Sequence, residues 1–490
     1  MSQSVSVPLV IRGEIIDDCR LEFGGRRGEL RFSAPDVRDH LSRLVLDTPS
    51  KMADLYELGF DDIVDYLARL GQRLSMTTNA HLQAAFEVSR HTSGLSESVL
   101  RYFYEQIPQS FLPEVVRETA QRLVGIDYLE GWVPQPSTVY QGPPSRIRAF
   151  GARCVHVIAG NVPSVGVGTV IRNAFTRSDA IVKSPSNDPL TTLAIARTMI
   201  DMAPTHPLTR HLSVAYWKGG DEGVEQPLYD PRHVEKIVAW GGFTSIKHIT
   251  RYLQPGIDLI TLDPKHSATL IGAEAFADDA TLWAVARRLA LDIGTMNQEG
   301  CVNARVIYVV SGTDAAGLAR LERLGQYTFE ALQQLPMHLS TPHKAFDAEL
   351  KAEIDGLRFA GDDYRVFGGK NNEGAIIVSR DGAPVDFSRL LACRVGNLVP
   401  VDDAEAAVLS VNAYTQTIGI YPEALKERLR DRLAWQGAQR LVSLGGAGLF
   451  KDAAIPQDGI EPVRRMCKWI VEQTIDGAEL EMLATTGLAG

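Results

Sequence analysis

The sequence predicts an α/β protein with two parallel-sheet domains and a β-ribbon appendage near its N-terminal end. Three observations carry this expectation. Between residues 154 and 262, short apolar strand-like runs alternate with helix-like segments at the spacing of βαβ units, which build a parallel sheet. After Cys301 the alternation starts again, with strand-like runs at 302–310, 395–400 and 440–444. Ahead of both, residues 5–32 alternate apolar and polar side chains around Gly24-Gly25, the two-residue period of strands joined by a turn.

Bulk properties agree with several domains. At about 150 residues per domain, a chain of 490 residues fits two to four of them. Its 45% apolar content is ample for large buried cores. A net charge of -10 and a pI of about 5.6 argue against a nucleic-acid binder, which presents a basic face. They leave room for a local basic pocket around a phosphate-bearing cofactor. The five cysteines are Cys19, Cys154, Cys301, Cys393 and Cys467. They are odd in number and widely spaced, and none forms a CxxC pair. That is neither a disulfide framework nor a zinc site, and it suits a reducing, cytoplasmic setting. Residues 1–8 lack the basic-then-apolar pattern of a signal peptide. No run of about 18 apolar residues occurs, so no membrane span is expected.

Each element follows from its local pattern. In the ribbon, Val7, Leu9 and Ile11, then Leu21 and Phe23, then Leu30 and Phe32 read as short strands of a structural hairpin. From Ser33 the period becomes helical. Ser33-Ala34-Pro35 is a helix entry for 36–45, and further helices are expected over 51–57, 60–75, 79–90, 96–105 and 112–123. Within the second of these, Ile63, Tyr66, Leu67 and Leu70 recur at helical spacing and read as core. Residues 132–148 are rich in Pro, Gly and Ser and read as a connector. Strands at 154–159, 180–183, 212–217, 236–240 and 259–262 then alternate with helices at 166–176, 190–202 and 243–252.

Parallel sheets of this kind bind ligands beyond the carboxyl ends of their strands. Those ends are Gly160-Asn161-Val162-Pro163, Lys183-Ser184-Pro185-Ser186, Lys218-Gly219-Gly220-Asp221 and Gly241-Gly242, rich in the residue types a nucleotide site needs. A helix at 279–292 leads to Met296-Asn297-Gln298-Glu299-Gly300-Cys301-Val302-Asn303. Beyond it come a helix at 315–335, a mixed stretch to 391, helices at 403–411 and 422–435, a loop over 445–459 and a final helix at 460–474. No internal repeat is present.

Four features carry candidate chemistry. Cys301 stands on a turn between a helix and a strand, where a thiol can meet a substrate; a buried cysteine acting as a small apolar residue fits the same place. Asn161 follows a strand, where its amide can stabilise an oxyanion or simply build a turn. Lys183 closes an apolar strand, where a lysine can grip ribose or phosphate or lie in solvent. His266 lies just past a strand end and is either a general base or a structural histidine. His156, His206, His233, His248 and His266 show no metal-ligand spacing, so no metal is expected. Neither GxGxxG after the first strand nor GxxxxGK[ST] occurs, so a nucleotide site here needs another design.

Taken together, Gly160-Asn161-Val162-Pro163, Ile181-Val182-Lys183-Ser184-Pro185, Tyr216-Trp217-Lys218-Gly219-Gly220, Val238-Ala239-Trp240-Gly241 and Gln298-Glu299-Gly300-Cys301 resemble the LuxC-type acyl-CoA reductases of the aldehyde dehydrogenase superfamily. Val411-Asn412, the run from Gln416 to Pro422, Pro456 and Asp458-Gly459 extend the resemblance, which covers about residues 149–474. It implies an aldehyde dehydrogenase-like fold of two Rossmann-like domains. The implied division is a ribbon at 1–33, a helical part and connector at 34–148, and a dinucleotide-binding βαβ region at 149–263. A catalytic domain at 264–445 and a C-terminal loop and helix returning to the cofactor domain at 446–490 complete it.

The resemblance also implies roles. Cys301 would be the nucleophile, with Asn161 and the Cys301 N–H as oxyanion donors. Lys183 would contact the adenosine ribose, and Gly241 and Gly242 would form the turn that approaches the cofactor. The superfamily binds its dinucleotide without the usual glycine fingerprint. The departures are informative. Thr261-Leu262-Asp263-Pro264-Lys265-His266 stands where hydrolytic relatives carry a general-base glutamate, and it has none. Cys393-Arg394-Val395-Gly396-Asn397 offers no glutamate for the nicotinamide ribose, and Gln457 replaces a usual histidine. Ser186 stands where NAD-preferring relatives have Glu, which favours NADPH, with NADH as the alternative.

The expected activity is reduction of an acyl thioester, on CoA or an acyl carrier, to aldehyde through a thioacyl-cysteine, with His266 as base for the thiol. An acyl-transferring protein partner and a homo-oligomer are expected, without nucleic acid or membrane span. Two alternatives stay open: a CoA-acylating aldehyde dehydrogenase running from aldehyde to acyl-CoA with NAD, and a non-catalytic acyl-binding assembly subunit.

Overall fold

The computed structural model describes residues 5–24, 30–139, 143–449 and 454–485. Gly25 of the expected ribbon turn lies outside the described residues, as do 140–142 of the connector and 450–453 and 486–490 of the C-terminal segment.

The first sheet runs Asp258–Leu262, Lys236–Trp240, Arg153–Val157, Asp179–Lys183, Leu212–Ala215, Leu9–Ile11, Glu14–Ile16. The first five strands are parallel. Cys154, Val155, Ile181, Val182, Ile237 and Val238 are all buried. A parallel sheet is covered on both faces, so its strands read as continuous apolar runs.

The N-terminal ribbon is built into this sheet. Leu9–Ile11 adds antiparallel beside Leu212–Ala215, with Val10 opposite Val214, and Glu14–Ile16 forms the edge. Leu21–Gly24, Arg31–Ala34 and Val5–Ser6 make a separate small sheet, from which Phe23 and Phe32 pack edge-on against Tyr216. The helices Phe60–Arg73, Ala80–Thr92, Glu97–Gln106 and Pro113–Leu123 share one core with Ser164–Phe175 and Thr191–Met202. Ile63, Leu67 and Leu70 lie in that core, as their spacing required.

The second sheet runs Tyr364–Gly368, Ala375–Ser379, Val395–Pro400, Ala304–Val309, His266–Ile271, Thr415–Tyr421, Arg440–Ser443. Only Tyr364–Gly368 pairs antiparallel. The helices Asp279–Gly294 and Ala315–Gln333 cover it through Ile293, Leu321 and Leu324.

Two expectations are corrected. The 132–148 connector contains the strands Val133–Gln135 and Ser145–Phe150. The final helix expected at 460–474 is a short helix, Pro462–Met466, followed by the strand Lys468–Glu472. That strand pairs antiparallel with Ser145–Phe150, so Trp469, Ile470 and Val471 act as the β-prone residues they are. Lys468 and Arg465 then form ion pairs with Glu235 and Asp258, beside strands of the first sheet.

Candidate active site

The turn before Cys301 is held in an unusual conformation. Met296, Asn297 and Gln298 have φ values of 57°, 52° and 65°, all left-handed and none of them glycine. Such residues persist only where their surroundings over-determine them, and they cluster at functional sites. Here three buried amides do so. Gln298 Nε2 donates to Ala304 O and Val395 O, both at 2.8 Å, and its Oε1 accepts from Val395 N at 2.8 Å. Asn303 Nδ2 donates to Thr295 O at 2.8 Å, and its Oδ1 accepts from Gly300 N at 3.0 Å. Asn297 Oδ1 accepts from Thr341 N at 3.0 Å. Ser267 Oγ donates to Cys301 O at 2.7 Å and so fixes the cysteine itself.

Cys301 thus sits at the amino end of the strand Ala304–Val309, beside the amino ends of His266–Ile271 and Thr415–Tyr421. The first sheet meets it from the opposite side. Its strand order reverses between Arg153–Val157 and Lys236–Trp240, and the crevice beyond their carboxyl ends is where sheets of this kind bind ligands. Gly160-Asn161 and Gly241-Gly242 follow those two strands. Asn161 Nδ2 crosses to Glu299 O at 3.0 Å. An Asn amide carries two N–H donors, so one remains for a reacting oxygen.

The half-buried thiol has three polar neighbours that act on it. Burial pushes the Cys301 thiol up, and the Asp458 carboxylate adds to this, while Gln416 and the Arg305 cation oppose it. Gln416 Nε2 donates to Asp458, and its buried Oε1 has no hydrogen-bond partner. Arg305 is anchored by Leu391 O at 2.9 Å and Asn303 O at 3.1 Å. His266 is exposed at the start of its strand and makes no hydrogen bond to Cys301. Burial, with the Arg305 and Arg389 cations, lowers its pKa and so favours its neutral form.

On the other side of the crevice, the Lys183 ammonium lies 5.5 Å from the Trp217 ring and 5.8 Å from the Tyr216 ring. Burial lowers its pKa to about 8, against the pull of the Glu225 charge. Glu225 is buried and accepts from Trp217 Nε1, Gly220 N, His248 Nε2 and Tyr252 OH. Next to Lys183, the buried Ser184 Oγ has no hydrogen-bond partner. Ser186 is half-buried on the loop that follows. A β-carbon on Gly242 would meet nothing within 4 Å, so the chain there is open to close approach. A cation, an orphaned buried hydroxyl and an open glycine fit the sugar and phosphates of a dinucleotide.

The structure therefore gathers Cys301 and Asn161 at one point and Lys183, Ser186, Gly241 and Gly242 along the adjoining crevice. It leaves His266 at the rim. Sequence reasoning quoted Gln416 and Asp458 without a role and did not use Arg305, Ser267 or His343. A polar residue that proves to be buried was the one signal available for them. A cleft of about 580 Å³, lined in part by Tyr102, Met337, His338 and Thr341, opens beside the turn. Among the described residues, no His, Cys, Asp and Glu side chains group so as to hold a metal ion, and no helix is long and apolar enough to cross a membrane.

Comparison with known proteins agrees with this geometry. Residues 55–469 match the family described as Acyl-CoA reductase (LuxC). The long-chain acyl-protein thioester reductase of Vibrio harveyi is 25% identical over 472 residues, covering 95% of this chain and 92% of that protein. That of Photorhabdus luminescens is 28% identical over 430 residues, covering 84% and 82%. Among solved structures, an NADP-dependent glyceraldehyde-3-phosphate dehydrogenase from Bacillus halodurans superposes with a TM-score of 0.73 at 14% identity, covering 96% of this chain and 99% of that one. Aldehyde dehydrogenase 21 from Physcomitrella patens does so at 0.73 and 14%, covering 96% and 98%. The fold is that of the aldehyde dehydrogenases, and the chain belongs to the LuxC acyl-CoA reductase family.

Proposed function

We propose that this LuxC-family chain reduces an acyl thioester to the aldehyde with NADPH, through a thioacyl intermediate on Cys301. The observation that carries the reading is the Cys301 turn, locked by buried amides and gripped across the crevice by Asn161. Relatives named long-chain acyl-protein thioester reductases support a long acyl chain, and a protein-borne donor beside CoA.

The thiol must lose a proton before it attacks, because a thiolate is the nucleophile. His266, favoured neutral, is the acceptor in this reading. Asp458, tied to the thiol through Gln416, is the rival, since its carboxylate is already close. The thiolate forms a bond to the thioester carbonyl carbon. The oxyanion is met by the second N–H of Asn161 and by the Cys301 N–H. Collapse breaks the bond to the CoA or carrier sulfur, which takes up the proton. Arg305 offsets the negative charge that builds beside it. Lys183, Ser184, Ser186, Gly241 and Gly242 would hold NADPH, which when bound supplies the hydride. Ser186 places no carboxylate against a 2′-phosphate, which supports NADPH over NADH. No glutamate stands on 261–266 to activate water, which supports reduction over hydrolysis. The edge strand Lys468–Glu472, with Ile470 and Val471 exposed, supports a homo-oligomer.

The test is stoichiometric. Cofactor oxidation is followed with a series of fatty acyl-CoAs, NADPH beside NADH, while aldehyde is quantified. One aldehyde per NADPH oxidised is the expected result. Acid in place of aldehyde, or no oxidation with any thioester, contradicts it.

A further inference from the structure

Glu299 lies two residues before Cys301, and its carboxylate sits in a cradle. On one side His343 Nε2 donates to Oε1 at 3.0 Å, from an imidazole only 1% exposed. His343 Nδ1 lies 2.6 Å from Ala345 O and 3.3 Å from Ala345 N. An imidazolium would donate to both oxygens, Glu299 Oε1 and Ala345 O. Burial opposes that charge, but Cys393 and Glu299 outweigh it and raise the His343 pKa to about 9. On the other side stands Gly94, where a β-carbon would come within 2.1 Å of Oε1 and 2.3 Å of the carboxyl carbon. Only a residue without a side chain lets the carboxylate lie there. The segment that carries His343 is fastened to the Cys301 turn, since Met296 N donates to Leu339 O at 2.8 Å and Thr341 N to Asn297 Oδ1.

Two residues span at most about 7 Å between Cα atoms. Released from the clamp, a Glu side chain anchored so near the nucleophile has the length to bring its carboxylate, through one water, to an acyl group on that sulfur. A carboxylate in that position is a general base for water. Paired with a cation it is a weaker base, and fixed in one rotamer it is misplaced for the attack.

We infer that His343 and Gly94 clamp Glu299, and that the clamp keeps a latent general base from hydrolysing the acyl group on Cys301. His343 is then a positioning residue that directs the acyl group to aldehyde rather than acid. This rests on the thioacyl reading above. The suppressed reaction is balanced without an oxidant. Glu299 takes a proton from water, the water oxygen bonds to the thioacyl carbon, the carbon–sulfur bond breaks, and the Cys301 thiolate receives the proton as the acid leaves.

The experiment acylates purified wild type, His343→Gln, Glu299→Gln and the double variant with one saturated fatty acyl-CoA in the absence of cofactor. Adduct decay is followed by intact-protein mass, and free fatty acid is quantified. Wild type and Glu299→Gln should keep the adduct. His343→Gln should release acid on the order of tenfold faster or more, and the double variant should return to the wild-type rate. Gly94→Ala opens the clamp from the other side and serves if His343→Gln does not fold. Adduct decay at the wild-type rate in a folded, acylated His343→Gln or Gly94→Ala protein overturns the inference, as does fast decay that survives Glu299→Gln. No adduct on wild type would overturn instead the thioacyl reading, and the inference with it.

Discussion

Asn161 Nδ2 donates to the backbone carbonyl of Glu299 at 3.0 Å, so the loop that follows the strand Arg153–Val157 grips the turn that presents Cys301. One N–H of the amide fixes the turn, and an Asn amide carries a second. In the proposed reaction the second N–H would meet the oxyanion from a position fixed before substrate arrives, which is what makes such stabilisation effective.

Replacing Asn161 with Ala should therefore lower kcat about a hundredfold or more, from the 2.7–4 kcal/mol that one such donor typically supplies. Steady-state aldehyde formation measures it. A loss below about fivefold would remove Asn161 from the oxyanion site.

Lys183 gives a pH signature. Its folded pKa is lowered to about 8 by burial, so the cation is present below that value and lost as pH rises through it. If Lys183 grips the cofactor, the Kd for NADPH by fluorescence titration should weaken as pH rises past about 8. Lys183→Gln should bind weakly at every pH, with a flat profile. A wild-type Kd that does not change between neutral pH and pH about 9 would contradict the contact.

The proton acceptor is decided by comparison. If His266 serves, His266→Gln should slow acylation and abolish its rise with pH, while Asp458→Asn leaves that rise intact. The reverse pattern assigns the role to Asp458. Stopped-flow acylation across pH, read by adduct mass, separates the two.

The turn itself is a stability element. Gln298→Leu removes the partners of Val395 N, Val395 O and Ala304 O. Each buried polar group left unpaired costs about 1–3 kcal/mol, so the thermal midpoint should fall and acylation should slow together. An unchanged midpoint would mean that the left-handed run does not depend on this amide.

Much of this molecule is legible in its sequence. The strand Asp179–Lys183 reads as a short apolar run because both its faces are buried, and Lys183 stands at its end because the chain leaves the core there. Cys301 and Asn161 could be singled out because turn residues flank them. The 460–474 segment could not be read correctly, since Ile460, Val463, Met466 and Cys467 carry a helical period. What decides its second half is pairing with Ser145–Phe150, more than three hundred positions away. The polar half of the site was hidden for a related reason. Gln416 and Asp458 have no periodicity in common, and only the order of strands in the second sheet and the path of a loop bring them to Cys301.

The most direct measurement is intact-protein mass after incubation with a panel of acyl-CoAs without cofactor, wild type beside Cys301→Ala. An acyl adduct is expected on wild type alone, discharged as aldehyde when NADPH is added. An equal adduct on Cys301→Ala, or discharge as acid, would contradict it.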